Sequence, residues 1–277
     1  MARFHPAAAG APLANVIAQA ARTTEGQGAA SPRVSVIMPA YNAASSIARS
    51  VDSVLAQTHR DLELIIVDDA STDGTTALIE RYANRDARVR PLLQARNAGV
   101  AAARNAGIAA ASGAYIAFLD SDDWWHPRKL ELSLAQMQSA GARVSYSAYQ
   151  RISEDGRVLS HVNPPASLTH ADMLRSNFIG NLTGMYERSL GDGEFPRMGH
   201  EDYVFWLQMV RKTGTAVRVD HDEPLAFYLV RKQSVSSNKV HAAGWQWRIY
   251  RDVERMGVLR ACGYMVMYVW NALAKRR

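Results

Sequence analysis

Four short apolar runs, each followed by a helical pattern or a turn, constrain this chain more than any other feature of its sequence. Residues 34–38 (VSVIM) are a largely β-branched run halted by Pro39, and residues 62–67, 89–93 and 115–119 repeat the theme. Between them Ile47, Val51, Val54 and Leu55 recur on one helical face, residues 75–82 carry a second helical pattern, and residues 100–111 are alanine-rich. Ser45 or Ser46 is placed to cap the first of these helices. Strands alternating with helices require crossover connections, so the expected fold class is α/β, with a mostly parallel sheet covered on both faces. Such sheets bind ligands beyond the carboxyl ends of their strands. Those ends carry Tyr41 and Asn42, Asp68 and Asp69, and the run Asp120-Ser121-Asp122-Asp123.

The rhythm changes after Pro127, which suits the first turn of a helix over 127–139. Residues 144–152 and 157–161 flank Glu154-Asp155-Gly156, a turn signal that predicts a hairpin and hence a mixed sheet. A helix over 202–210 carries Phe205, Trp206 and Met209, and two more are expected over 242–254 and 258–274. Residues 1–31 are rich in Ala, Gly, Ser and Thr and bury too little to offset ordering entropy, so they read as a flexible tail. The expected organisation is this tail, a main domain over 32–240 and a helical extension over 241–277.

Composition narrows the partners. With 277 residues, 48% of them hydrophobic, the chain can bury one large core. Its formal net charge of +6 fits an anionic partner: a nucleotide diphosphate, an anionic lipid surface or nucleic acid. No zinc-finger, basic-zipper or aromatic RNA-binding signature accompanies that charge, which argues against nucleic acid. The single cysteine, Cys262, excludes an internal disulfide framework and a multi-cysteine zinc site, suits a reducing cytoplasm, and reads as a buried inert thiol. No export signal and no run of 18 apolar residues is present, so a soluble or membrane-peripheral, cytoplasmic protein is expected.

The acidic strand end at residues 120–123 crowds carboxylates at a mouth open to water, an arrangement that is costly without a cation. Hard ions such as Mg²⁺ and Mn²⁺ take oxygen ligands and complete their shells with substrate phosphates. The competing reading is a hydrated turn that opens the following helix. Asp69, Ser71, Asp73, Gly74 and Glu80 come near the spacing of a calcium-binding EF-hand loop, but residues 62–67 read as a strand where that motif needs a helix. Asp73-Gly74 is then a turn opening the next helix. No glycine-rich dinucleotide or P-loop pattern occurs. Arg104, near the start of the alanine-rich helix, reads either as a partner for carboxylate or phosphate or as a surface arginine.

The order of these segments is specific. Residues 34–42 (VSVIMPAYN), 66–75 (IVDDASTDGT), Asn97-Ala98-Gly99 with Ala103-Arg104-Asn105, and 118–123 (FLDSDD) together resemble the family 2 glycosyltransferases of GT-A fold, densely over about 33–135 and more loosely to about 240. The resemblance implies a nucleotide-binding half over 32–125 and an acceptor half over 126–240. It implies that Pro39, Tyr41, Asn42, Asp68 and Asp69 cradle the nucleotide base, a uracil if the donor is a UDP-sugar. It further implies that Arg104 and Ser121 help hold the nucleotide, and that Asp120 and Asp122 meet ribose and a Mn²⁺ or Mg²⁺ ion on the diphosphate. Gly199-His200-Glu201-Asp202-Tyr203 resembles the motif that supplies the catalytic base, assigned here to Asp202 with Glu201 as the alternative; an acidic helix N-terminus is the bland competitor. Residues 228–239 (YLVRKQSVSSNK) resemble the basic loop that closes over the pyrophosphate, with Arg231 and Lys232 supplying charge, although a histidine found there in some relatives is missing.

By the same resemblance the activity is inverting transfer of one sugar per encounter to a glycan or lipid-linked acceptor, in bacterial surface-polysaccharide assembly. No Gln-x-x-Arg-Trp sequence follows Asp202, which speaks against a processive synthase. Two other classes compete: a noncatalytic nucleotide-sugar-binding relative, and a nucleotidyltransferase, which would need a basic glycine-rich loop where Pro39-Ala40-Tyr41-Asn42 stands. Residues 258–277 hold Tyr264, Tyr268 and Trp270 and end in Lys275-Arg276-Arg277; they suit an interfacial helix on the inner membrane or, equally, a packing helix.

Overall fold

The computed structural model describes residues 33–191, 193–231 and 239–274. The expected tail over 1–31, Lys232 and the terminal Lys275-Arg276-Arg277 lie outside them. In chain order the first half consists of β1 (Val34–Ala40), α1 (Ile47–Leu55), β2 (Leu62–Asp68), α2 (Thr75–Ala83), β3 (Val89–Leu93), α3 (Val100–Ala110) and β4 (Tyr115–Phe118). The second half adds β5 (Trp124–Trp125), α4 (Lys129–Ala140), β6 (Val144–Tyr146), β7 (Tyr149–Ser153), β8 (Val158–Val162), β9 (Ser167–Thr169) and α5 (His170–Met173). β10 (Met185–Glu187), α6 (Glu201–Thr213), β11 (Thr215–Arg218), β12 (Ala226–Val230), α7 (Lys239–Arg248) and α8 (Val258–Ala274) complete it.

An eight-stranded sheet runs β3-β2-β1-β4-β10-β6-β11-β9. Its first four strands are parallel, in the register Ala40 to Asp68 and Ile37 to Phe118. β10 enters antiparallel beside β4, which makes the sheet mixed. Every residue of β1 and β2 is buried, as a parallel core covered by helices requires. Alternate residues of β1 feed opposite layers: Ile37 joins an aromatic cluster with Phe118, Phe195, Phe205 and Trp206, whereas Val36 and Met38 pack with Ile47, Val51 and Val54 of α1. Pro39 is tolerated in this central strand because of its phase. The carbonyl of Ile37 accepts from Leu119, so residue 39 faces the same side one step past the last paired residue of β4, where no ladder donor is needed.

Several expectations are corrected. Ser46 is the N-cap residue of α1, but its hydroxyl takes no helix amide; it lies 3.4 Å from the Ala43 carbonyl and accepts from Arg231 at 3.1 Å. Residues 144–152 do not form one strand: β6 lies in the large sheet, while β7 pairs with β8 in a four-stranded sheet ordered β5-β12-β7-β8. The chain changes sheets at Ser147-Ala148, a step that apolar patterning does not mark. The helix after Pro127 starts at Lys129, and α7 runs on into a π-helical stretch, Ile249–Val253. Cys262 is exposed, because Ala261 occupies the inward position one residue earlier.

Candidate active site

The carboxyl ends of β1, β2 and β4 open onto one cavity of about 510 Å³, lined by Pro39, Tyr41, Asp69, Asn97, Gly99, Arg104, Asp120, Ser121, Asp122 and Tyr228. The strand order reverses between β1 and β4, so their connections leave in opposite directions and a crevice opens there. Asp69 fixes its floor. Its main chain donates to the Ala40 carbonyl, and its carboxylate takes the amides of Ala98 and Gly99, each at 2.8 Å. Gly99 stands at the N-cap of α3 with φ +88°, a conformation that disfavours a side chain, so Asp69 grips a turn that glycine makes cheap. Each Asp69 oxygen keeps a lone pair for a further donor.

Asn42 and Asp68 stand behind this cavity rather than in its wall. Asn42 accepts from the Thr72 amide at 2.8 Å, its own amide meets Ser71, and it has φ +48°. Asp68 takes the Ser71 amide and hydroxyl and the Thr76 hydroxyl. Asp73 turns inward on Thr75 and on the Ala44 amide. The acidic turn after β2 is therefore a self-closed loop that shapes the crevice, and it follows a strand where an EF-hand loop needs a helix. Ala70, at φ +60°, carries the strain of that turn beside Asp69.

Arg104 is the centre of the site. It is 4% exposed, not a surface arginine, and donates to Asp120 at 2.7 Å and to Glu201 at 2.9 Å. These two carboxylates keep its guanidinium firmly charged despite burial. It lines the donor-side cavity and also a second one of about 560 Å³, bounded by Asp120, Asp123, Tyr149, Asn181, His200, Glu201, Asp202 and Trp245. Glu201 and Asp202 open α6 after His200, whose φ of +61° turns the chain into the helix. Glu201 is held by Arg104, whereas Asp202 has no ion pair within 4.0 Å among the described residues and receives the amides of the helix start. Burial raises the pKa of both carboxyls above the ordinary value, for Glu201 with Asp202 adding repulsion.

The acidic strand end is unevenly neutralised. Asp122 pairs with Arg231 at 3.1 Å, and its carbonyl accepts from Arg49, which lies 3.5 Å over the Trp124 ring. Asp123 is buried; one oxygen takes the Leu229 amide at 2.8 Å and the other has no hydrogen-bond partner. Burial first, and then repulsion within the cluster, raise the pKa of Asp122 and raise that of Asp123 further. Arg231 thus sits against Asp122, outside the wall of the donor-side cavity. Asn97 and Tyr228 lie in segments that the resemblance marked without giving either residue a role, whereas Asn181 and Trp245 come from a short turn and a helix whose local patterns carry no chemical signal.

The parallel β-α units, the acidic strand end and a carboxylate pair at a helix start define a GT-A fold of the kind that handles nucleotide-diphosphate sugars. The glycosyl transferase family 2 model matches residues 35–193, and the chain belongs to that family; it is a glycosyltransferase. It is 40% identical over 248 residues to the glycosyltransferase TuaG of Bacillus subtilis, assigned to teichuronic acid biosynthesis, covering 88% of this chain and 98% of that one. It is 33% identical to WfgD of Escherichia coli, a UDP-Glc:α-D-GlcNAc-diphosphoundecaprenol β-1,3-glucosyltransferase, over 87% of this chain and 94% of that one. The solved structure of Staphylococcus aureus TarS in complex with UDP-GlcNAc matches with a TM-score of 0.68 at 21% identity, over 86% of this chain and 71% of that one. The mannosyltransferase PcManGT of Pyrobaculum calidifontis, solved with GDP-Man and Mn²⁺, matches at 0.62 and 20% identity, over 91% and 76%. These two likenesses show the GT-A fold.

Proposed function

We propose that the enzyme moves a sugar from a UDP-sugar to a hydroxyl of a lipid-linked or glycan acceptor, with inversion, in assembly of a bacterial surface polysaccharide. The observation that carries this reading is the position of Asp202: a half-buried carboxylate without an ion-pair partner, in a cavity that adjoins the donor-side crevice at Arg104 and Asp120. Asp202 takes the acceptor's proton while the oxygen bonds to the anomeric carbon, and the bond from that carbon to the diphosphate breaks on the opposite face, releasing UDP. Raised basicity suits the task, because a carboxylate of ordinary pKa is a weak base at neutral pH.

Pro39, Tyr41 and Asp69 bind the base in this reading, with Asn42 and Asp68 holding the loop that presents them. Ser121 and Asp120 lie toward the ribose and Arg231 toward the diphosphate; Lys232, paired with Arg231 in the sequence reading, lies outside the described residues. The names of WfgD and TarS support the UDP donor, and that of WfgD a lipid-linked acceptor.

A Mg²⁺ or Mn²⁺ ion fits the acidic strand end, as the Mn²⁺ complex of PcManGT supports. The donor set is all oxygen, and the unpartnered oxygen of Asp123 and the mutual repulsion of the cluster leave negative charge that the arginines do not absorb. Among the described residues no group of three or more such side chains is arranged to hold a metal alone, so Asp120 and Asp122 would share it with the diphosphate. Bound there, the ion would neutralise charge developing on the leaving group.

No helix among the described residues is long and apolar enough to cross a membrane. α8 instead exposes Leu259 at 90%, Val266 at 70% and Trp270 at 72%, with Arg260 nearby. An apolar stripe with a cation beside it suits the inner membrane surface on its cytoplasmic side.

Thermal unfolding with UDP, GDP, CDP or dTDP, each with and without Mn²⁺, tests the donor reading. The expected outcome is a shift for UDP that grows with Mn²⁺. No shift with any of the four would favour a noncatalytic relative.

A further inference from the structure

The acceptor-side cavity contains buried polar groups that the fold leaves unsatisfied. Asn181 opens the short 3₁₀ turn Asn181–Thr183, is 6% exposed, and lines the cavity together with Asn177. Neither the oxygen nor the nitrogen of the Asn181 carboxamide has a hydrogen-bond partner, and the Asn177 oxygen has none. Leaving such a group unpaired costs about 1–3 kcal/mol, and the large majority of buried polar atoms in folded proteins are paired. The fold offers no packing reason for an asparagine here: its neighbour Leu182 is buried as an ordinary apolar residue, and the Leu182 carbonyl is satisfied by the Trp125 indole at 2.8 Å.

Facing chemistry comes from Trp245 on α7. Its ring forms part of the cavity wall and meets the His200 ring edge-on at 5.3 Å. It presses so closely on Gly199 that a Cβ there would lie 2.1 Å from its Cδ2. Trp245 is therefore seated on the loop that leads directly into Glu201 and Asp202. A carboxamide accepts through oxygen and donates through nitrogen, so it can pair with two neighbouring hydroxyls at once. An aromatic wall offers a surface for the C–H face of a ring.

We infer that Asn181, Asn177 and Trp245 form the subsite for a neutral pyranose ring with vicinal hydroxyls, the terminal sugar of the acceptor, set so that another of its hydroxyls meets Asp202. This deepens the proposed function and rests on it. The helical extension then has a part in catalysis: it supplies the wall against which the acceptor sugar is positioned.

Saturation-transfer NMR with full-length enzyme, UDP and Mn²⁺ tests the inference, using octyl α-pyranosides of glucose, galactose, mannose and N-acetylglucosamine as probes. Wild type is expected to transfer saturation to the ring protons of at least one glycoside. Asn181→Leu, which keeps the branched outline of the side chain and removes the amide, should weaken that binding at least 10-fold while the UDP-induced melting shift stays. Gly199→Ala, which displaces the Trp245 ring without touching Asn181, should weaken it likewise, so the conclusion does not depend on one variant folding. Equal glycoside affinity in wild type and in the folded variants, or no transfer to any glycoside from a wild type that still shows the UDP shift, would overturn the subsite alone. A wild type without a UDP shift would overturn the donor reading and the subsite with it.

Discussion

The Arg104 guanidinium donates to Glu201 at 2.9 Å while its other amino group holds Asp120 at 2.7 Å, joining residues 97 and 16 positions away in the chain. One side chain thereby couples the donor-side strand end to the helix start that carries the base. Removing it should leave two carboxylates without a cation in a partly buried site. Arg104→Met is expected to lower kcat at least 100-fold and to cost about 3–5 kcal/mol of stability. Arg104→Lys should recover part of the stability and little of the rate, since a lysine lacks the fork that reaches both partners. Calorimetry and steady-state kinetics on the two variants check this; a Met variant with wild-type kcat would refute the coupling.

The engagement of Glu201 by Arg104 separates the two acidic residues by role. Asp202→Asn should preserve the UDP melting shift and reduce kcat/KM about 10³-fold, within the range for loss of a general base. Glu201→Gln should cost much less. Because burial raises the Asp202 pKa, wild-type activity should climb with pH through a midpoint above the ordinary aspartate value and then level off. A pH–rate profile of Asp202→Asn that keeps the same acid limb would assign the base elsewhere.

Asp122 meets Arg231 at 3.1 Å and shares the uneven charge of the acidic strand end. Asp122→Asn is expected to abolish the part of the UDP melting shift that depends on Mn²⁺ while leaving the metal-independent part within a degree or so. Titration of UDP by calorimetry, with and without Mn²⁺, reads the same quantity. Identical metal dependence in wild type and variant would remove Asp122 from the metal site.

Lys129 opens α4 fully buried, with its ammonium 4.1 Å from the Trp125 ring and no hydrogen-bond partner. Burial lowers its pKa from 10.5 to about 7. The unfolded chain therefore binds more protons than the folded one between about pH 7 and 10.5, so this residue makes wild-type stability rise with pH across that window. Lys129→Met should raise stability at pH 7 by about 2 kcal/mol, with the gain shrinking toward pH 10. Thermal unfolding at the two pH values decides it; a destabilised Met variant would show that the ammonium has a structural task.

Leu259, Val266 and Trp270 lie along the exposed stripe of α8. Replacing all three by serine should reduce sedimentation with vesicles of phosphatidylglycerol and phosphatidylethanolamine at least 5-fold, without lowering the melting temperature. Equal sedimentation would leave the stripe to another partner.

The β-α alternation, the parallel core and the positions of Tyr41, Asp69, Asp120 and Asp202 were legible in the sequence. Runs such as VSVIM and LELIIV can only be buried on both faces, and strand termini in such sheets are where polar residues meet solvent and ligand. Asn42 and Asp68 could be placed near the site but not assigned their loop-holding contacts, because those depend on Ser71, Thr72 and Thr76 folding back upon them. Only the tertiary structure showed that Arg104 bridges Asp120 and Glu201, that of Glu201 and Asp202 the second is the one without an ion pair among the described residues, and that Asn181 and Trp245 share one cavity. Periodicity records which face of an element is buried. It carries no information on which distant side chains meet across a cavity, since those meetings are fixed by the packing of one element on another.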